Sequence, residues 1–406
     1  ITLIIFLGKK ITYAELSNLV NKYAVVFKNL GLKSGDTIAL FLPNCPQFVI
    51  SFFAAQKIGA IVAALNPTYK EDELAEVLND SNAKIVITLN RFVEITGLAI
   101  KRAGGASATI IVTDISEFFP LLVKWFFKLF KAKKEGHFLP AHLGRHPGII
   151  LFSDLFNKVA DDGFILLPSP NTKPEDVALL QYTGGTTGRA KGAALTHQNI
   201  LANLNMTRSW MVNFKEGEEV LLGVLPFFHI YGLSTVMLLG LLTGSRVVLL
   251  PKFDAKETIK AIKKYSVTIF NGVPPMYAKI IASVAGRDRE YFKSLKFCIS
   301  GAMKLDETIQ ENFEKLTGAK IVEGFGLSEA SPVTHINPFY GKKKIGSFGI
   351  PVPSTDVRVL EVRFGQSGPG PELPPGEIGR MAIKGPQVMR GYWNQPKETE
   401  QVFHDG

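Results

Sequence analysis

Residues 182–192 read Tyr-Thr-Gly-Gly-Thr-Thr-Gly-Arg-Ala-Lys-Gly and follow the apolar, strand-like run Val177-Ala178-Leu179-Leu180. Glycines let backbone N–H groups turn inward around an anion, the hydroxyls of Thr183, Thr186 and Thr187 donate hydrogen bonds, and Lys191 adds a positive charge. The chemistry suited to such a set is phosphate binding. A Walker loop needs a glycine directly before its lysine and Ser or Thr directly after it. Here Ala190 precedes Lys191 and Gly192 follows it, which argues against a P-loop kinase or ATPase.

Three further segments carry chemistry-bearing residues among small or aromatic neighbours: Pro226-Phe-Phe-His229-Ile-Tyr231-Gly232, Ser300-Gly301-Ala302-Met303, and Glu323-Gly324-Phe325-Gly326-Leu327-Ser328-Glu329. A histidine beside apolar residues is usually a satisfied core residue. A Gly-rich turn after a strand explains the glycines of the third segment but not Ser328-Glu329 at their spacing. Taken with the loop at 182–192, these segments resemble the adenylate-forming superfamily of acyl-CoA synthetases, luciferases and peptide-synthetase adenylation domains. The loop departs from that pattern only at Gly184, where serine is usual and long-chain fatty acyl-CoA synthetases often carry glycine. Gly346-Ser-Phe-Gly-Ile-Pro351 and the stretch Gly385 to Asn394 match as well, so the resemblance covers nearly the whole chain.

The resemblance implies a nucleotide site of Thr183, Gly184, Gly185, Thr186, Thr187, Gly188 and Lys191 with Gly301, Ala302, Met303, Glu323, Gly324, Phe325, Gly326 and Ser328. Within it Phe325 would stack on adenine and Ser328 would meet the α-phosphate. Lys191, Thr187, His229 and Glu329 are the implied catalytic residues, and Glu329 the ligand of Mg²⁺. Departures are mild: Phe325 keeps the stacking face of the usual tyrosine and Ser328 the donor of the usual threonine. Met303-Lys304 stands where Ala-Pro is more frequent, and the shape of the adenine side of the pocket stays open. The implied reaction joins a carboxylate to ATP as acyl-adenylate plus pyrophosphate, then passes the acyl group to coenzyme A. Both first reactants are anions, so the protein's contribution is positioning and charge neutralisation.

Amino-acid-activating relatives place an aspartate near the position of His229, and Phe227 to Leu233 holds no carboxylate. An apolar acid is therefore expected, with His229, Tyr231 and Val273 as acyl-pocket residues. Gly184 and the aromatic-basic segment 118–134 resemble long-chain fatty acyl-CoA synthetases; His229-Ile-Tyr231 also occurs in aryl-acid ligases. Two alternatives stay open: an aryl-acid (coumarate-like) ligase, and a catalytically weak nucleotide- or lipid-binding fragment of a synthetase.

The elements that must position these groups read as alternating helix and strand. The chain has 406 residues, 46% hydrophobic and 20% charged, enough for a large core in more than one structural unit. Thr12 and Glu15 are spaced as a capping box, and Leu16, Leu19, Val20, Tyr23 and Phe27 recur at helical intervals up to Gly31. Strands are expected at 37–42, 61–64, 83–88, 220–225, 246–250, 267–270, 296–300 and 320–322, and helices at 47–57 and 71–79. The pattern predicts an α/β fold with mainly parallel sheets covered by helices. With the resemblance, the expected architecture is two stacked α/β subdomains, layered αβαβα, over residues 1–344 with an insertion at 115–170. A small, truncated β-rich, barrel-like subdomain follows at 345–406, from the short β-like pieces 357–362 and 378–384 around a Gly/Pro-rich turn.

Cys45 and Cys298 stand in apolar surroundings, which gives no disulfide framework and makes a reducing, cytoplasmic setting the default. A net charge of +10 suits ATP, coenzyme A or an anionic membrane, and no nucleic-acid motif accompanies it. Phe118 to Lys134 is too short and charged to span a bilayer; it reads either as a helix lying in a membrane interface or as a lid or buried insertion helix. His137, His142 and His146 lack a cysteine or carboxylate partner and are expected as solvated loop residues. Leu233 to Leu250 is broken by Gly240, Gly244 and Arg246 into a buried helix and a strand. The chain begins at Ile1, as if cut from a longer protein, with a strand and turn rather than a signal peptide. It ends at Gly406, before the family's ribose contact, hinge and C-terminal lid domain. The resemblance then implies that ATP and acyl-adenylate bind while adenylation is reduced.

Overall fold

The computed structural model describes residues 2–104, 108–139, 148–158, 170–184, 190–284, 288–363 and 370–404. His142, His146 and the loop residues Gly185, Thr186, Thr187 and Gly188 lie outside them.

Strand side chains alternate between faces, and both faces of the two large sheets are apolar, as expected of parallel strands covered on both sides. In strand Thr37–Phe41, Ile38 and Leu40 join one core while Ala39 and Phe41 join another. In strand Thr2–Phe6, Ile4 and Phe6 face that same first core and Ile5 faces a third. The shared core is filled by the helices Tyr13–Asn29, Pro46–Lys57 and His197–Trp210 and by the helical stretch from Ile230 to Leu242. Outside it, Leu74 and Val77 of helix Glu71–Ser81 cover one sheet. Ile259, Tyr277 and Phe313 from three further helices cover the other. This is the helix–sheet–helix–sheet–helix layering expected.

Among the described residues one sheet has eight strands and the other nine. In the first, Thr37–Phe41 pairs in parallel with Ile61–Ala64 and Ile85–Leu89, and Ile61–Ala64 pairs with Val177–Gly184. The second runs in parallel through Thr2–Phe6, Arg246–Leu249, Val220–Gly223, Ile269–Gly272, Phe297–Ser300 and Ile321–Gly326. Antiparallel strands occur at both ends of the nine-stranded sheet and at one end of the eight-stranded sheet.

Local chemistry sets the boundaries. Thr12 and Glu15 form the expected reciprocal cap, Glu15 N–H donating to Thr12 Oγ1 at 3.1 Å and Thr12 N–H to Glu15 Oε2 at 2.7 Å. The expected break in the apolar stretch 233–250 is present: helix gives way after Leu242 to strand Arg246–Leu249. No helix of the described residues is long and apolar enough to cross a membrane.

Two expectations are corrected. Among the described residues, the small β-rich piece is a two-stranded antiparallel ribbon, Asp356–Leu360 with Arg380–Lys384, and not a barrel. Its strands have no buried side chains, so it lacks the inward-facing set that closes a barrel. Short strands on either side of it, Ile350–Pro351 and Gly391–Tyr392, join the two large sheets instead. His137 is not solvated but buried: it packs edge-on against Phe127, its Nδ1 lies 3.3 Å from Asn90 Oδ1, and burial lowers its pKa.

Candidate active site

The described ends of the phosphate-suited segment, 182–184 and 190–192, lie on two paired strands. Val177–Gly184 pairs antiparallel with Ala190–Thr196 in a register that sets Thr183 opposite Lys191 and Gly184 opposite Ala190. On these strands the Tyr182 hydroxyl donates to Asp80 at 2.6 Å, and Gly192 leaves room for the Tyr182 ring, which a Cβ would approach to 3.1 Å. The hairpin is thereby fixed to helix Glu71–Ser81.

His229 is placed from the other sheet. It caps the helical turn Ile230–Gly232, its Nδ1 accepting the Tyr231 N–H at 3.2 Å. Burial of the ring lowers its pKa, and with Nδ1 as acceptor the neutral ring carries its proton on Nε2. Asn44 clamps the segment leading to it: Nδ2 donates to the carbonyls of Gly223 (3.1 Å) and Leu225 (2.8 Å), and Oδ1 accepts the Phe227 N–H at 2.7 Å. Tyr231 donates to the Ile299 carbonyl at 3.0 Å, and desolvation raises its pKa.

Gly301 and Ala302 follow strand Phe297–Ser300. A Cβ on Gly301 would come within 3.1 Å of the Tyr231 ring, and Ala302 has a left-handed φ of 66°. Strand Ile321–Gly326 then carries Gly324, Phe325 and Gly326 to the turn that presents Ser328 and Glu329. The Phe325 ring leans on Phe348 at 4.9 Å between centroids. Asn203 holds the returning strand, donating to the Val333 carbonyl at 2.7 Å and accepting its N–H at 3.1 Å.

These pieces meet on one cleft of about 750 Å³. Thr183, Gly184, Lys191, His229, Tyr231, Gly301, Ala302, Gly324, Phe325, Gly326, Ser328 and Glu329 line it. Three expected residues are elsewhere. Met303 is 59% exposed on the surface, and Glu323 turns inward to accept the Leu305 N–H at 3.2 Å. Val273 starts helix Pro274–Ser283 and is not on the cleft wall.

Sequence reasoning gave no role to several residues in or beside the cleft. The Tyr392 hydroxyl donates to Glu329 Oε1 at 2.6 Å, Lys191 lies 5.4 Å from the centre of the Tyr392 ring, and Glu398 forms an ion pair with Lys191. Tyr392 falls within the Gly385 to Asn394 match, which was a signal without a role; Glu398 carried no signal. Tyr69, Val77, Gln181 and Phe228 also line the cleft.

Among the described residues no three His, Cys, Asp or Glu side chains gather as a metal site. A lone carboxylate fits Mg²⁺ only in the usual manner of phosphate-bound magnesium, with one or two protein ligands and the remainder from phosphate and water. Glu329 has that character, one oxygen accepting from Tyr392 and its carboxylate lying at the cleft.

Residues 1–393 match the family described as AMP-binding enzyme. A long-chain-fatty-acid–CoA ligase of Bacillus subtilis (strain 168) is 40% identical over 410 residues, covering 100% of this chain and 70% of the relative. A protein of the same name from Escherichia coli O6:H1 is 31% identical over 408 residues, covering 98% and 69%. Among solved structures, ATP-bound MatB from Rhodopseudomonas palustris matches with a TM-score of 0.82 at 26% identity, over 100% of this chain and 71% of that one. With the phosphate hairpin, His229 and Ser328-Glu329 on a single cleft and the family match running almost end to end, the chain belongs to the AMP-binding enzymes of the adenylate-forming superfamily.

Proposed function

We propose that the protein is a long-chain fatty acid–CoA ligase. A fatty acid carboxylate oxygen attacks the α-phosphorus of ATP and pyrophosphate leaves; the thiol of coenzyme A then attacks the acyl carbonyl and AMP leaves. Lys191, Thr186, Thr187 and the loop N–H groups hold the departing pyrophosphate, and Ser328 donates to the α-phosphate. Phe325 stacks on adenine beside Gly301 and Ala302. Glu329 would hold Mg²⁺, which would screen the phosphate charges. His229 and Tyr231 form the junction between the phosphate and acyl regions.

One observation carries this reading: Lys191 and Glu329 line the same cleft although they lie far apart in the chain. The apolar share of the wall, from Val77, Phe228, Ile230, Tyr231 and Val333, favours an apolar acid, and Phe227 to Leu233 contributes no carboxylate to pair with a substrate amine. The test is product analysis with palmitate, hexanoate and coumarate. AMP, pyrophosphate and palmitoyl-CoA are expected; coumaroyl-CoA as the main product would move the assignment to an aryl-acid ligase, and ADP would remove it from this chemistry.

We also propose peripheral contact with an anionic lipid surface through 118–134. The helical stretch from Leu121 to Lys131 turns Phe127 inward and leaves Leu121 86% and Phe130 68% exposed, with Trp125 and Phe126 beside them. Lys124, Lys128, Lys131, Lys133 and Lys134 accompany these side chains. Bulky apolar groups with interleaved lysines are the composition of an interfacial helix. Co-sedimentation with phosphatidylglycerol vesicles is expected, reduced by Trp125→Ser with Phe130→Ser. Equal sedimentation with phosphatidylcholine, or no effect of the double substitution, overturns this reading.

A further inference from the structure

The side chain nearest the Lys191 ammonium is a carboxylate supplied by the protein itself. Glu398 forms an ion pair with Lys191, whose side chain is only 14% exposed, while that of Glu398 is 31% exposed. Glu398 sits on the single helical turn Pro396–Glu400, which has no buried residue. That turn is tied to its surroundings through the residue next to Glu398: Thr399 Oγ1 accepts the Tyr392 N–H at 2.9 Å and donates to the Gln395 carbonyl at 2.9 Å. Tyr392 is in turn anchored to Glu329 and to strand Ala190–Thr196. The backbone beside Glu398 is thereby held, while its carboxylate has Lys191 as hydrogen-bond partner, so that leaving the ammonium requires only a change of the Glu398 side-chain rotamer.

We propose that Glu398 is the resident counter-ion of the phosphate site, so that a triphosphate binds by exchanging with this carboxylate on Lys191. The inference rests on the reading of Lys191 as the phosphate cation. A buried ammonium without a partner is costly, and a carboxylate on a loosely packed turn satisfies it until a phosphate oxygen arrives. The same carboxylate then becomes a like charge beside the phosphate and opposes binding. Surroundings strengthen the opposition: Glu76 and Asp80 line the same surface hollow as Lys191 and Glu398, with Lys397 as the other cation lining it. Asp80 is already engaged by Tyr182. Glu398 thereby sets how tightly polyphosphates hold, without touching the adenine or acyl portions of the cleft.

Equilibrium binding of ATP, pyrophosphate and adenosine to the full chain tests this. Glu398→Gln is expected to tighten ATP and pyrophosphate about three- to tenfold, the range of a partly shielded charge pair. Adenosine, which lacks phosphate, is expected to bind as before, and the gain is expected to vanish in Lys191→Ala/Glu398→Gln. Glu398→Asp, one methylene shorter, is expected to show a smaller gain of the same sign and serves if the glutamine variant fails to fold. Unchanged or weaker ATP binding by Glu398→Gln, with Lys191→Ala weakening it, overturns the exchange and leaves Lys191 as the phosphate cation. ATP binding unaffected by Lys191→Ala overturns both.

Discussion

The Tyr392 hydroxyl donates a 2.6 Å hydrogen bond to the carboxylate of Glu329, 63 residues earlier in the chain. The same ring lies 5.4 Å from the Lys191 ammonium. One aromatic side chain thus stands between the cation of the phosphate hairpin and the carboxylate of the second sheet, and desolvation, with the bonded carboxylate second, raises the pKa of Tyr392.

Tyr392→Phe keeps the ring and removes the hydroxyl. A hydrogen bond to a charged group contributes about 1.5–3 kcal/mol, so kcat/KM for ATP is expected to fall about tenfold or more with the KM for fatty acid unchanged. Steady-state kinetics with each substrate varied in turn checks this. An equal loss for both substrates points to general loosening of the cleft instead.

Asn203→Leu leaves the buried N–H and carbonyl of Val333 without their partner. Each orphaned buried group costs about 1–3 kcal/mol, and the strand concerned follows directly on the turn bearing Glu329. Urea unfolding is expected to show a loss of roughly 2–6 kcal/mol, with nucleotide binding weakened as well.

Two glycine substitutions should separate by what the new methyl group meets. In Gly326→Ala the Cβ falls 2.3 Å from the Pro332 carbonyl oxygen, a backbone atom that moves only with its strand. In Gly301→Ala it meets the Tyr231 ring at 3.1 Å, a side chain that shifts more easily. Overpacking costs about 1–3 kcal/mol, and the larger loss of stability and of ATP binding is expected for Gly326→Ala. Thermal unfolding with and without ATP ranks the two.

Glu117 gives a stability difference that depends on pH. Burial pushes its pKa from 4.5 up to about 7, so the folded state keeps a proton that the unfolded state has already lost. Stability from this group therefore falls as pH rises from about 4.5 to about 7 and is level above, with a total of up to about 3 kcal/mol. Glu117→Gln keeps an oxygen to accept the Asp114 N–H and has no such titration. Its stability should match the parent near pH 4 and exceed it above pH 7, by urea unfolding at both.

The fold was legible because it is written in short-range pattern. The Thr12–Glu15 cap and the apolar run of strand Thr37–Phe41 are each decided within one element. Strand ends moved where the pattern ends gradually: 267–270 became Ile269–Gly272, and 320–322 extended to Gly326. The small β-rich piece was misjudged because strand pattern alone does not say whether a sheet closes.

For the site, local sequence determined which residues carry phosphate chemistry, and tertiary packing determined which of them face one cleft. Glu323 and Met303 share motifs with cleft residues but turn away, because the strand's alternation sends Glu323 to the Leu305 N–H and Met303 ends on the surface. Tyr392 and Glu398 became visible only when strand Gly391–Tyr392 joined Ala190–Thr196. Hydrogen-bond pairing between distant strands, unlike a cap or an apolar period, leaves little trace in neighbouring residues. That pairing carried a tyrosine and a glutamate from the last part of the described chain to Glu329 and Lys191.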